Sequence, residues 1–292
     1  MPTQTDNRIR LKDGRTLAYA TYGDPQGKPV LHFHGTPSSR MEGNLPLVDE
    51  SATRLGIRLI VPDRPGMGLS DSRPGRTLLD WPDDVLELAD ALGLGRFAVV
   101  GLSGGGPYVA ACAYQIPQRL TTAGIVSGVS PLDVPHAFEG MDRSDRQMFG
   151  LAGRSPWLLR LVFWYTAREL RRNPDRALAQ MAVELSAPDQ AVLAESDIKG
   201  AFVQTSLEAF RQGARGATWD CVLFARPWGF RPQDIRVPVY LWHGDVDTTC
   251  PISMGRYMAG AIPGCRAIFL PQEGHYSLIA RHYEELLRAL VD

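Results

Sequence analysis

The chain has 292 residues, 44% of them apolar and 22% charged, with 31 Lys and Arg against 32 Asp and Glu for a formal net charge of −1. This composition excludes an intrinsically disordered chain. The missing basic excess argues against a nucleic-acid binder and against attraction to an anionic membrane.

At this length one large α/β unit or two domains are expected. The opening segment, residues 1–10, has no apolar core and does not read as a secretory signal. No stretch reaches 18 uninterrupted apolar residues; the best candidate, 157–167, is short and carries Arg160, so no transmembrane helix is expected. Cys112, Cys221, Cys250 and Cys265 show no CxxC or metal-ligand spacing. They predict reduced thiols in a cytoplasm and no metal site, with a Cys250–Cys265 disulfide left open.

In chain order, residues 8–11 and 16–22 read as a β-hairpin turned by Asp13-Gly14. Residues 29–33 and 58–62 are strand candidates, the second with Ile60 and Val61 suited to burial. A helix is predicted over 80–92: Val85, Leu88, Ala89 and Leu92 recur at helical spacing, Asp80 is a candidate cap, Pro82 falls in the first turn and Gly93 ends it. The apolar run 97–102 reads as a central parallel strand, followed by a helix to about residue 115 and a strand at 123–127. From 131 to 232 the pattern is mainly helical (157–172, 175–186, 198–212). Strands return at 239–243 and 267–270, before a last helix with Ile279, Tyr283, Leu286 and Leu290 on one face. A βαβ series interrupted by a helical block predicts a parallel sheet with a helical insertion. The core is expected at 1–130 and 233–292.

Gly101-Leu102-Ser103-Gly104-Gly105 fits GxSxG between an apolar strand and an alanine-rich helix. A serine at such a turn is held in a strained conformation with its hydroxyl exposed at a helix N-terminus, and neighbouring glycines avoid clashes. A hydroxyl needs a base. His275, between the last strand and the last helix, can reach the same sheet edge. His282 lies within the final helix and reads as solvated, His136 lies in the insertion, and His243 ends a strand where its backbone is expected to matter more than its ring. The base needs an acid to hold its tautomer. Asp247, just past a strand end, fits best, with Asp245 and Asp133 as rivals. For a developing oxyanion, the backbone N–H groups of Gly104 and Thr36 are the candidate donors, with the Thr36 hydroxyl as a possible third.

With these residues in place, the chain resembles the α/β-hydrolase fold superfamily. The resemblance is carried by His34-Gly35-Thr36-Pro37, Asp63-Arg64-Pro65-Gly66-Met67-Gly68-Leu69-Ser70, the serine motif, Asp247 in Gly244-Asp245-Val246-Asp247, and Gly274-His275. It implies a mostly parallel sheet flanked by helices, with a helical cap at 131–232 inserted after the sixth strand. The 63–70 segment is expected to be structural. The implied activity is a serine hydrolase acting on a carboxylic ester of a small, largely apolar substrate, with Ser103, Asp247 and His275 as triad and no cofactor. Amidase, aminopeptidase or C–C bond hydrolase chemistry with the same triad, and a ligand-binding receptor on this scaffold, are the alternatives. Ser103 argues against epoxide or halide chemistry through an aspartate. The absence of HGGPG or GGGX at the oxyanion loop weakens proline-peptidase and lipase assignments. Trp157, Phe163, Trp164, Tyr165, Phe202, Phe210, Trp219, Phe224 and Trp228 are expected mostly in the cap core, some lining a pocket.

Overall fold

The N-terminal hairpin forms as its turn chemistry requires. Strands β1 (Gln4–Arg10) and β2 (Thr16–Gly23) pair antiparallel, and Gly14 adopts φ 88°, a conformation that a side chain would oppose. The computed structural model describes residues 4–45 and 48–292; the first three residues of the N-terminal segment considered above lie outside them. After β3 (Lys28–Phe33), α1 (Val48–Arg54), β4 (Ile57–Pro62) and α2 (Trp81–Ala91) come β5 (Phe97–Leu102), α3 (Gly106–Gln115) and β6 (Leu120–Val126). The eight strands of the sheet run in the order β1-β2-β4-β3-β5-β6-β7-β8, with β7 (Val239–Gly244) and β8 (Arg266–Leu270) completing it. From β4 to β8 across the sheet every pairing is parallel. The mostly parallel α/β architecture is thus present.

Every residue of β5 is buried, because helices cover both faces. Alternation along the strand sends Val99 to one apolar layer and Val100 to the other. The first layer holds Trp81, Val85 and Leu88 of α2, Tyr108 and Val109 of α3, and Met254 and Met258 of α10 (Ile252–Ala261). The second holds Ala52 of α1 and Leu278, Leu286, Leu287 and Leu290 of α11 (His275–Val291). Asp80 does not cap α2: its carboxylate accepts the Thr77 N–H and hydroxyl at 2.6 and 2.9 Å, within the short turn before the helix.

Between β6 and β7 lie α4 (Arg143–Arg154), α5 (Pro156–Arg172), α6 (Pro174–Ala182), α7 (Ala187–Leu193), α8 (Ser196–Ala209) and α9 (Arg215–Phe224). Three of them escape a periodicity reading. In α4, only Phe149 and Ala152 are buried, so its apolar stripe is too sparse to register. α7 has seven residues, because the segment read as one helix over 175–186 stops at Ala182 and restarts. In α9 all but two residues are buried, which removes the polar face that marks an amphipathic helix. Leu159, Phe163 and Ala167 of α5 pack with Ala217, Cys221 and Val222 of α9, and with Met67 from the 63–70 loop, in a third apolar cluster. The aromatic expectation holds for Phe163 and Phe210, buried in this third cluster, whereas Phe224 and Trp228 are buried in the first layer against the sheet. It fails for Trp157, Trp164 and Tyr165, which are 67%, 55% and 59% exposed, because they lie off the buried stripe of α5. All four cysteines are free thiols, so Cys250 and Cys265 are not bonded.

Candidate active site

Ser103 follows β5 directly and has φ 52°. This left-handed conformation costs a serine roughly 1–3 kcal/mol, so the surroundings must hold it. They do so by close approach: a Cβ on Gly105 would collide with the Phe33 carbonyl, and one on Gly104 would lie 2.5 Å from Thr36 Oγ1. Glycines therefore let β5 turn at once through residues 103–105 into α3, against the loop that follows β3. Burial pushes the pKa of the nearby Cys250 thiol far upward.

His275 is the first residue of α11 and is buried. Its Nδ1 lies 2.8 Å from Asp247 Oδ2. Asp247 Oδ1 accepts the backbone N–H groups of Thr249 and Cys250, each at 2.9 Å, so the carboxylate is fixed from both oxygens. A carboxylate only accepts, which places a proton on Nδ1 and leaves Nε2 as the acceptor of the neutral ring. Burial alone would lower the imidazole pKa. The Asp247 charge and hydrogen bond, with Asp189 and Asp145 adding to them, outweigh it and raise the pKa to about 9. Ser103 and His275 line one cavity of about 470 Å³, formed between the strand ends and residues of α4 to α8.

Asp189, on α7, supplies what the sequence reading missed. Fully buried, it accepts the N–H of His275 at 2.8 Å through Oδ2, and those of Tyr276 and Ser277 at 2.8 and 2.9 Å through Oδ1. It thereby satisfies the first turn of α11 and favours it electrostatically, and it fixes the backbone of His275 from the helical insertion.

Thr36 and Gly104 border a smaller pocket together with Ser103. The expected role of the Thr36 hydroxyl as a third donor is not available. It donates to Asp220 Oδ2 at 3.0 Å and accepts from Arg64 Nη2 at 2.6 Å. Asp220 also binds Arg64 Nε at 2.8 Å, Tyr108 Oη at 2.6 Å and Arg76. Burial opposes its ionisation, but the two guanidiniums hold its carboxyl well below the usual range. Arg64 further donates to the Gly35 carbonyl at 2.8 Å and to that of His34. From the other side, Glu42 accepts Gly35 N–H at 3.1 Å and Ser38 Oγ at 2.8 Å. The 63–70 segment is thus structural, as expected, with Arg64 clamping the loop of residues 34–36.

The rivals fall elsewhere. Asp245 accepts the Gln272 N–H in the β8 turn, Asp133 and His136 are exposed, and His282 is half-buried against Glu273. His243 does use its ring, contrary to the sequence reading: it is buried, its Nε2 lies 2.6 Å from the Cys250 carbonyl, and it packs against Gly255 so closely that a Cβ there would meet Nδ1 at 2.6 Å. Burial lowers its pKa. Among the described residues no group of three or more His, Cys, Asp or Glu could hold a metal ion, and no helix is long and apolar enough to cross a membrane.

Comparison with known proteins agrees with this fold. The chain is 32% identical over 120 residues to the uncharacterized hydrolase YcgS of Bacillus subtilis, an alignment covering 40% of each chain; the chain spans about half or less of the length of the curated relatives it matches. A hydrolase structure from Pseudomonas aeruginosa superposes with TM-score 0.72 over 98% of both chains at 21% identity, a likeness of fold alone. A thermophilic esterase from Thermogutta terrifontis superposes with TM-score 0.64 at 25% identity, over 97% of this chain and 96% of that one. The family model described as alpha/beta hydrolase fold matches residues 28–281, and the chain belongs to that family.

Proposed function

We propose that this hydrolase is a serine esterase working through an acyl-enzyme. The observation that carries the reading is the 2.8 Å contact from Asp247 to His275 Nδ1, in a cavity that His275 shares with the strained Ser103. His275 Nε2 takes the Ser103 proton as Oγ adds to the ester carbonyl, and the carbonyl electrons move onto oxygen. The N–H groups of Thr36 and Gly104 receive that oxyanion. The intermediate then collapses: the carbon–oxygen bond to the alcohol breaks and His275 passes the proton to the departing oxygen. Water, deprotonated by His275, releases the acid and restores Ser103. Asp247 holds the imidazole tautomer and stabilises the imidazolium. The organic reaction needs no cofactor.

Residues 131–232 act in this reading as a cap that closes the cavity, a role supported by the lining residues Met148, Tyr165, Leu178 and Phe202. Their apolar character favours a small, largely apolar ester. Four unpaired cysteines support a cytoplasmic setting. The test is hydrolysis of an uncharged short-chain ester: Ser103→Ala lowers kcat by about 10³-fold or more with an unchanged circular dichroism spectrum. Near wild-type turnover in that variant contradicts the reading.

A further inference from the structure

Two cavities meet at Ser103, and they differ greatly in size. The larger, about 470 Å³, is bordered by His275; the smaller, about 30 Å³, is bordered by Gly104 and not by His275. Thr36, Ser103, Asp145, Met148 and Thr249 border both. The walls of the small pocket are packed core: Val129, Phe149, Cys221, Phe224 and Cys250 are each 5% exposed or less.

This difference orients the ester. In the tetrahedral intermediate, carbon carries four groups: Ser103 Oγ, the oxyanion, the alcohol oxygen and the acyl substituent. The alcohol oxygen must receive its proton from His275, so the alcohol extends into the large cavity. The oxyanion turns to Gly104 and Thr36. The acyl substituent is left with the small pocket. The small pocket offers about 30 Å³ against about 470 Å³ for the large one, so it takes the shorter of the two carbon substituents.

We infer that the enzyme is selective for short acyl groups carried on bulkier apolar alcohols: the small pocket beside Gly104 is an acyl-length filter and the large cavity is the alcohol site. This inference rests on the serine-esterase reading above. Longer acyl chains must displace Phe149 or Phe224, and overfilling a packed wall of this kind costs about 1–3 kcal/mol, some 5- to 150-fold.

The test compares two isomers of one composition, hexyl acetate and ethyl hexanoate, on the full-length protein, with alcohol or acid release as the readout. Hexyl acetate is expected to have the higher kcat/KM, by about 10-fold or more. Phe149→Ala is expected to narrow the ratio by raising activity on ethyl hexanoate; Phe149→Leu serves if the alanine variant does not fold. Equal rates on the two isomers, or a preference for ethyl hexanoate, overturn the filter, as does a ratio unchanged in a folded Phe149 variant. If neither ester is cleaved, labelling with a fluorophosphonate separates the two failures. A labelled Ser103 leaves the esterase reading standing and overturns the filter; an unlabelled Ser103 removes the reading itself.

Discussion

Protonation of His275 governs the acid side of the proposed reaction, because only the neutral imidazole can accept the Ser103 proton. Its pKa is raised to about 9 by Asp247 against the effect of burial. The sign follows: below that pKa the base is occupied by a proton, so kcat/KM rises with pH through the neutral range and levels off only above the ordinary histidine value of about 6.5. The expected profile has an apparent pKa well above 6.5 toward 9, and Asp247→Asn shifts it downward while lowering the rate. A plateau already reached at pH 6 in the wild type would contradict the electrostatic role of Asp247. At this scale the sequence is informative where chemistry and chain position coincide. Ser103 sits between glycines after an apolar run, and Asp247 and His275 each follow a strand, so residue type and local pattern select all three. The Thr36 hydroxyl shows the limit. Its capture by Asp220 at 3.0 Å joins residues 184 positions apart, and no local pattern encodes such a pairing.

At the scale of elements, α7 and α11 meet through Asp189. Three consecutive N–H groups at the start of α11 have this carboxylate as acceptor, in a buried position that water cannot replace cheaply. Asp189→Ala is expected to cost roughly 2–4 kcal/mol of stability, read as a lower denaturant midpoint. It is also expected to reduce kcat by about 10-fold or more at a temperature where the variant stays folded, since a shift near 1 Å at His275 suffices. Asp189→Asn recovers part of both. A variant with reduced stability but unchanged kcat and pH profile would make Asp189 structural only. Elements with a clear apolar period or strand run, such as α5, α11 and β5, are legible in the sequence. α9 and the break between α6 and α7 are not, because α9 is buried nearly all round and the break reflects tertiary packing.

Over the whole molecule the charges nearly cancel, yet the cavity does not share that balance. Glu42, Asp142, Asp145, Glu169 and Glu184 border it, and among the described residues no Lys or Arg does. Burial first, and then the neighbouring Asp142, push the Asp145 carboxyl well above its usual range. Anionic substrates are therefore disfavoured. The acetate of 4-hydroxybenzoic acid should show kcat/KM lower by about 10-fold or more than the acetate of its methyl ester, a difference on the order of 1.4 kcal/mol. Equal values would mean that these carboxyls do not act on the substrate. A net charge of −1 read from composition carried no hint of this lining, because the fold selects which residues face the cavity.

The claim on which all of this depends is that Ser103 is the nucleophile, and covalent trapping tests it most directly. The intact protein is treated with a fluorophosphonate and the modified residue located by peptide mass spectrometry. The account predicts one adduct per chain, on Ser103, formed much more slowly in His275→Ala and absent in Ser103→Ala. An adduct on another residue, or no adduct in a preparation that hydrolyses esters, would contradict it.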